Sequence, residues 1–350
     1  MKKFVFAAST ASALLVLASC SAGTPESSSE VLDQASPTTP ATIDAPSVVV
    51  TTTILGSVVG EILQCALGND SSMTVLMPVG ADPHDFQASS AQVAQMASAD
   101  LVVVNGLGLE EGVLDAVENL EADGVAVLEV AALVDPLPFG ESAKDDHDHG
   151  HDHDHGHDHG EDHSAEEDHA GHDHGEFDPH FWFDMERMAL AAELIGESLP
   201  SSPEANFVSC GESVAEEIRL AEEVVAETLA SVPEANRVLV TDHDALGYLA
   251  ARYGYDVVGV VIPGGSTLGD PNSQELAELV AIIQQEGVRA IFGDQQAATD
   301  LLGVLSDEVG GDVAVVELFV GSLGGPGSGA ESYVQLMTTN ATRIASALAD

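Results

Sequence analysis

The sequence predicts an α/β protein of two lobes, each with a parallel sheet, joined by one long rigid helix and separated by a cleft. Three observations predict it. Continuous apolar runs recur in both halves, as strands covered on both faces require. Helical patterns separate those runs, giving strand-helix-strand order. Between the halves, one helical pattern runs from Pro203 to Ser231, which at 1.5 Å per residue would be about 40 Å long.

SVVVTTT (47–53) reads as the first strand and Ser57 to Leu67 as a helix. MTVLMP (73–78) is a strand, followed by the loop VGADPHDF. Ser89 is placed to cap a helix reaching Ala99. LVVVN (101–105), a helix from Glu110 to Leu120 and VAVLEV (125–130) continue the alternation. A His/Asp/Gly-rich stretch from Pro136 to Glu176 interrupts it, with no apolar face of either period. That composition predicts a loop without fixed structure when no metal is bound.

After FDPHFWFD come a helix from Met185 to Leu199 and the long pattern that Pro233 ends. RVLVTD (237–242), a helix to Tyr253 and DVVGVV (256–261) follow. Asp270-Pro271 reads as N-cap and first helical residue of a helix to Glu286. RAIFGD (289–294) and VAVVEL (313–318) are strands, and Ala330 to Leu348 closes the chain as a helix. The predicted organisation is a signal segment (1–19), a tether (20–46), an N-terminal lobe (47–202), a linking helix (203–232) and a C-terminal lobe (233–350).

The first twenty residues, MKKFVFAASTASALLVLASC, join two lysines to an apolar core too short to span a bilayer. Leu17-Ala18-Ser19-Cys20 looks like a bacterial lipobox, which would place a lipid on Cys20 and the protein on the outer face of the cell membrane. The alternative is an ordinary secretory signal cut near Ala18. Either way the protein is exported. Cys65 and Cys210 then face an oxidising compartment, where a disulfide between them is expected against the alternative of two small buried thiols. Their separation is not that of a metal pair.

Charge narrows the function classes. There are 9 basic and 59 acidic residues, and no Lys or Arg between Phe4 and Ala143. Such a field repels nucleic acid and anionic lipid and concentrates cations. It leaves the first half without a partner for phosphate or carboxylate ligands.

Of 14 histidines, three stand outside the tract: His84, His180 and His243. Each sits in a loop where the cleft is expected. Three imidazoles suit Zn²⁺, with a fourth place for carboxylate or water. GADPHDF, DPHFWFD and TDHDALGYLAARYG, in that order, resemble the metal-binding motifs of the cluster A-I solute-binding proteins of ABC importers, the ZnuA/TroA/PsaA-like receptors. The resemblance covers residues 48 to 350. It implies metal ligation by His84, His180 and His243, a permease and a separate ATPase as partners, and the two-lobed fold. A histidine where manganese members carry Glu implies zinc rather than Mn²⁺, and the His-rich insertion resembles the zinc-binding branch. Where many members place a fourth, carboxylate ligand, this chain has Gly321; Asp294, Glu317 and water are the alternatives.

The reading is therefore a monomeric, non-enzymatic zinc receptor. A zinc-dependent hydrolase and a zinc-storing surface adhesin are the rivals, since three histidines and a water also describe a catalytic zinc. No HExxH or P-loop motif occurs. The tract is expected to collect ions weakly while the cleft holds one tightly.

Overall fold

Four parallel strands form the sheet of each lobe. The computed structural model describes residues 45–68, 71–140, 176–200, 205–269, 271–295, 299–310 and 313–349. The expected signal segment, Cys20, nearly all of the tether and residues 141–175 of the tract lie outside the described residues.

In the first lobe, β1 (Val48–Val50), β2 (Met73–Val75), β3 (Leu101–Val104) and β4 (Val127–Glu129) pair in the order β2-β1-β3-β4. In the second, β5 (Val238–Thr241), β6 (Asp256–Val260), β7 (Ala290–Asp294) and β8 (Ala314–Leu318) pair as β6-β5-β7-β8. The strand order reverses at β1 in one sheet and at β5 in the other. Loops leaving the carboxyl ends of the strands there diverge and leave a crevice.

Successive side chains of a strand face opposite ways, so each sheet needs two apolar layers. Val49, Val102 and Val104 pack outward under α2 (Ser90–Ala97) and α3 (Leu114–Ala122). Val240 and Ile291 do the same under α7 (Ser273–Glu286) and α8 (Thr299–Val309). The inward residues, Val48, Val50 and Val103 from one sheet and Leu239 and Phe292 from the other, share one central core. That core is filled by α1 (Thr53–Leu67), α4 (Met185–Ser198), α5 (Phe207–Ala230), α6 (Gly247–Tyr253) and α9 (Tyr333–Leu348). Burying one such aliphatic side chain contributes roughly 1.5–3 kcal/mol.

The linking helix is 24 residues, Phe207 to Ala230, or about 36 Å. It starts later than Pro203 because the Asn206 side chain accepts from the Ser209 N–H. It crosses α4 backbone to backbone. A Cβ on Gly211 would stand 2.7 Å from the Ala192 carbonyl, and one on Gly196 2.7 Å from the Phe207 carbonyl. Arg237 closes its far end, donating to the Val232 and Ala230 carbonyls. A disulfide joins Cys65 near the end of α1 to Cys210 in the first turn of α5.

Several elements depart from expectation, each for a local reason. The first helix starts at Thr53, not Ser57, because Thr52 accepts from the Leu55 N–H. The helix expected from Asp270-Pro271 starts at Ser273, because Asn272 and Glu275 cap each other's backbone N–H groups. Glu110 is no helical residue: it is buried, and α3 starts at Leu114. Helix α8 was not anticipated at all.

Candidate metal centre

His84 and His243 lie beyond strand ends and His180 just ahead of the turn that leads into α4, each in a segment set by short-range hydrogen bonds. His84 follows β2, and its N–H donates to Asp82 Oδ1 at 2.9 Å. His180 is held the same way by Asp178, whose Oδ1 accepts from the His180 N–H at 2.9 Å. His243 directly follows β5 and Asp242, whose Oδ1 accepts its N–H at 2.8 Å. An aspartate one or two residues ahead thus turns each backbone and fixes where the ring starts.

The three rings meet. Their centroids are 5.2–5.6 Å apart and all three residues are at least 97% buried. One nitrogen of each lies within 4.8 Å of the other two, and among the described residues no other His, Cys, Asp or Glu joins the cluster. The Nε2 atoms of His84 and His180 are 3.4 Å apart. Two nitrogens each bound to a tetrahedral Zn²⁺ at 2.0–2.1 Å would be about 3.3–3.4 Å apart, so the spacing fits that ion.

Carboxylates behind the rings set the tautomers. His180 Nδ1 lies 2.7 Å from Asp178 Oδ1, and His243 Nδ1 2.9 Å from Asp242 Oδ1. A carboxylate there accepts the Nδ1 proton and leaves the Nε2 lone pair for the ion. Burial holds His180 well below the ordinary histidine range, and charge on His243 pushes the same way. Burial would also lower His243, but the charge and hydrogen bond of Asp242, helped by Asp294 and Asp82, raise it. Burial raises Asp178 to about 7, against the His180 backbone hydrogen bond.

Neither Asp294 nor Glu317 joins the cluster. Glu317 is on the exposed side of β8. Asp294 stands behind His243: its N–H donates to Asp242 Oδ2 at 2.6 Å, and its Oδ2 accepts from the Gly321 N–H at 2.8 Å. A side chain at 321 would collide with Pro83, whose Cδ is 2.7 Å from the Cβ position. The loop carrying His84 therefore occupies the room a carboxylate at 321 would need.

Sequence reasoning found the three histidines but missed what supports them. Asn105 Nδ2 donates to the Pro179 carbonyl at 3.0 Å, and buried Glu110 accepts from the Asn105 and Gly106 N–H groups and from Thr51. Tyr248 OH donates to the Asp178 carbonyl and accepts from the Leu137 N–H, pinning both ends of the tract beside His180. A β-bridge between Pro138 and Phe177 does the same. For Asp178 and Asp242 the available signal was an aspartate just ahead of each histidine. Asp242→Asn, which keeps the shape and removes the charge, is expected to weaken zinc binding about 10- to 100-fold, measured by competition with a chromogenic chelator.

Two α/β lobes that meet around three buried imidazoles make a metal-binding solute receptor. The chain belongs to the family of the periplasmic zinc-uptake complex component A, ZnuA, whose model matches residues 48–347. It is 29% identical over 316 residues to the zinc-binding protein TroA of Treponema pallidum, covering 88% of this chain and 91% of that one. It is 26% identical over 296 residues to the manganese-binding lipoprotein MntA of Halalkalibacterium halodurans, covering 83% and 86%. The solved structure of the periplasmic zinc binding protein TroA from Treponema pallidum superposes with a TM-score of 0.70 at 28% identity, over 87% of this chain and all of that one. Family members are solute-binding components of ABC uptake systems rather than enzymes, and this chain is such a component.

Proposed function

We propose that the chain is an extracytoplasmic zinc receptor. It captures one Zn²⁺ between His84, His180 and His243 and delivers it to an ABC-type permease powered by a separate ATPase. The observation that carries this is the donor set: three imidazole nitrogens and, among the described residues, no carboxylate in the cluster. Nitrogen donors rank Zn²⁺ far above Mn²⁺, which prefers carboxylate and water. Gly321, with Pro83 against it, removes the oxygen ligand that the resemblance places there. The zinc-binding names of TroA and AdcA relatives agree.

The name of the MntA relative gives manganese standing as a second reading. Protein purified without added metal decides between them. One tightly held zinc per chain, not displaced by excess Mn²⁺, is the expected result; a full equivalent of manganese would move the assignment. Repeating this without residues 145–176 should remove weak, pH-sensitive binding and leave the tight site. Loss of the tight site would make the tract the working centre.

The same reading makes the protein a monomer tethered to the outer face of the cell membrane through a lipid on Cys20. The LASC sequence supports this, as do the lipoprotein names of MntA and AdcA relatives. Palmitate labelling lost in Cys20→Ala checks it.

A further inference from the structure

An ion held by three buried imidazoles must be let out, and the loop after β6, residues 261–269, is bonded to both sides of the site. Its Gly264 carbonyl accepts from the Asp244 N–H at 3.2 Å, next to His243. Three residues on, Thr267 Oγ1 donates to Asp82 Oδ2 at 2.6 Å. The other oxygen of that carboxylate holds the His84 N–H. Ser266 Oγ donates to Glu111 Oε1 at 3.1 Å, a second bond from the same loop to the other lobe. The loop therefore ties the backbone turn that carries His243 to the turn that carries His84, across the cleft. It follows its path at close quarters, since a Cβ on Gly265 would overlap the Phe139 ring.

We propose that this loop is a strap, and that the Thr267 hydroxyl, through Asp82, is the positioning group that sets how fast the bound ion leaves. This rests on the reading that the three histidines hold the ion. Separating the lobes breaks the Thr267–Asp82 bond and frees the Asp82 carboxylate, so that the His84 turn loses its outer anchor. Ser266 and Glu111 add a weaker, longer bond of the same kind. Thr267 touches no ligand ring; it acts through Asp82.

The experiment uses the full chain loaded with one Zn²⁺, mixed with excess EDTA, and follows release with time. A hydrogen bond to a charged group is worth about a tenfold factor or more in stability. Thr267→Val, which keeps the shape and removes the hydroxyl, is thus expected to speed release about tenfold while one zinc per chain still binds. Thr267→Ser, which restores the hydroxyl, should return the wild-type rate. A purely packing role for the threonine methyl would give the opposite pattern, with fast release from Thr267→Ser and wild-type release from Thr267→Val. Wild-type release from Thr267→Val, or loss of binding altogether, also overturns the proposal. Amide hydrogen exchange at residues 80–84 of the metal-free protein provides an arm that does not depend on which metal is the cargo. Faster exchange in Thr267→Val supports the strap; equal protection overturns it, even if zinc proves not to be the ion carried.

Discussion

His243→Ala is expected to lower zinc affinity about 100- to 1000-fold. Complete zinc sites bind with about 10–16 kcal/mol, so one ligand of four accounts for about 2.5–4 kcal/mol, and each 1.4 kcal/mol is tenfold. The loss should not be recovered by a neighbouring group. Asp294, the buried carboxylate behind His243, is engaged by the Gly321 N–H, and its own N–H is committed to Asp242. Asp242 loses its imidazole partner in the variant and becomes a buried carboxylate with one fewer donor, which adds to the cost. The measurement is a chelator competition on protein lacking residues 145–176, so that binding by the tract does not mask the change. Wild-type affinity in that variant, or in the triple alanine variant at His84, His180 and His243, would remove these histidines from the site.

Replacing Cys65 and Cys210 with serine produces the second large effect, on stability rather than binding. The disulfide closes a sequence separation of 145 residues, for which loop entropy gives a stabilisation of up to about 5 kcal/mol. Real bridges often deliver less, and about 3–5 kcal/mol is expected from urea unfolding with and without reductant. The bridge lies 12 residues along α1 from Thr53, about 18 Å from the cleft end of that helix. Zinc affinity at a temperature where the variant is fully folded should therefore stay near wild type. An unchanged unfolding midpoint, or free thiols in the native protein, would contradict the bridge.

Much of this was legible in the sequence, for physical reasons. Strands buried on both faces must be apolar without alternation, and Val48–Val50 and Leu101–Val104 are. Histidines in loops beside strand or helix ends stand out in a chain with so few others outside the tract. What stayed hidden depends on partners distant in sequence. Helix α8 was passed over because its Gly303, Ser306 and acidic residues dilute the apolar stripe that Leu302 and Leu305 bury against β7's sheet. Glu110 reads as the first residue of a helix, yet it is buried ahead of α3, where two backbone N–H groups and Thr51 make its burial tolerable. Burial still keeps it above the ordinary glutamate range. The missing fourth carboxylate was visible as Gly321, but its close approach to Pro83 was not, because the two residues are 238 positions apart in the sequence. The Asp82–Thr267 bond, whose partners are 185 positions apart, is the same case.

Trp182 is the only tryptophan in the chain. Its ring lies edge-on to His180 with centroids 5.2 Å apart, and its Nε1–H donates to the Val320 carbonyl at 3.1 Å, next to Gly321. The indole is 2% exposed. An optical reporter is thus already built into the molecule, in van der Waals reach of one proposed ligand and bonded to the opposite lobe. Excitation at the red edge of the protein absorbance, where tyrosine contributes little, yields emission from this one ring. Charge arriving at the His180 imidazole, or a parting of the lobes that breaks the Val320 bond, would each alter its colour or yield. Filling and emptying of the cleft can be followed in unlabelled protein by stopped-flow fluorescence, without attaching a dye to a surface whose acidity would distort it.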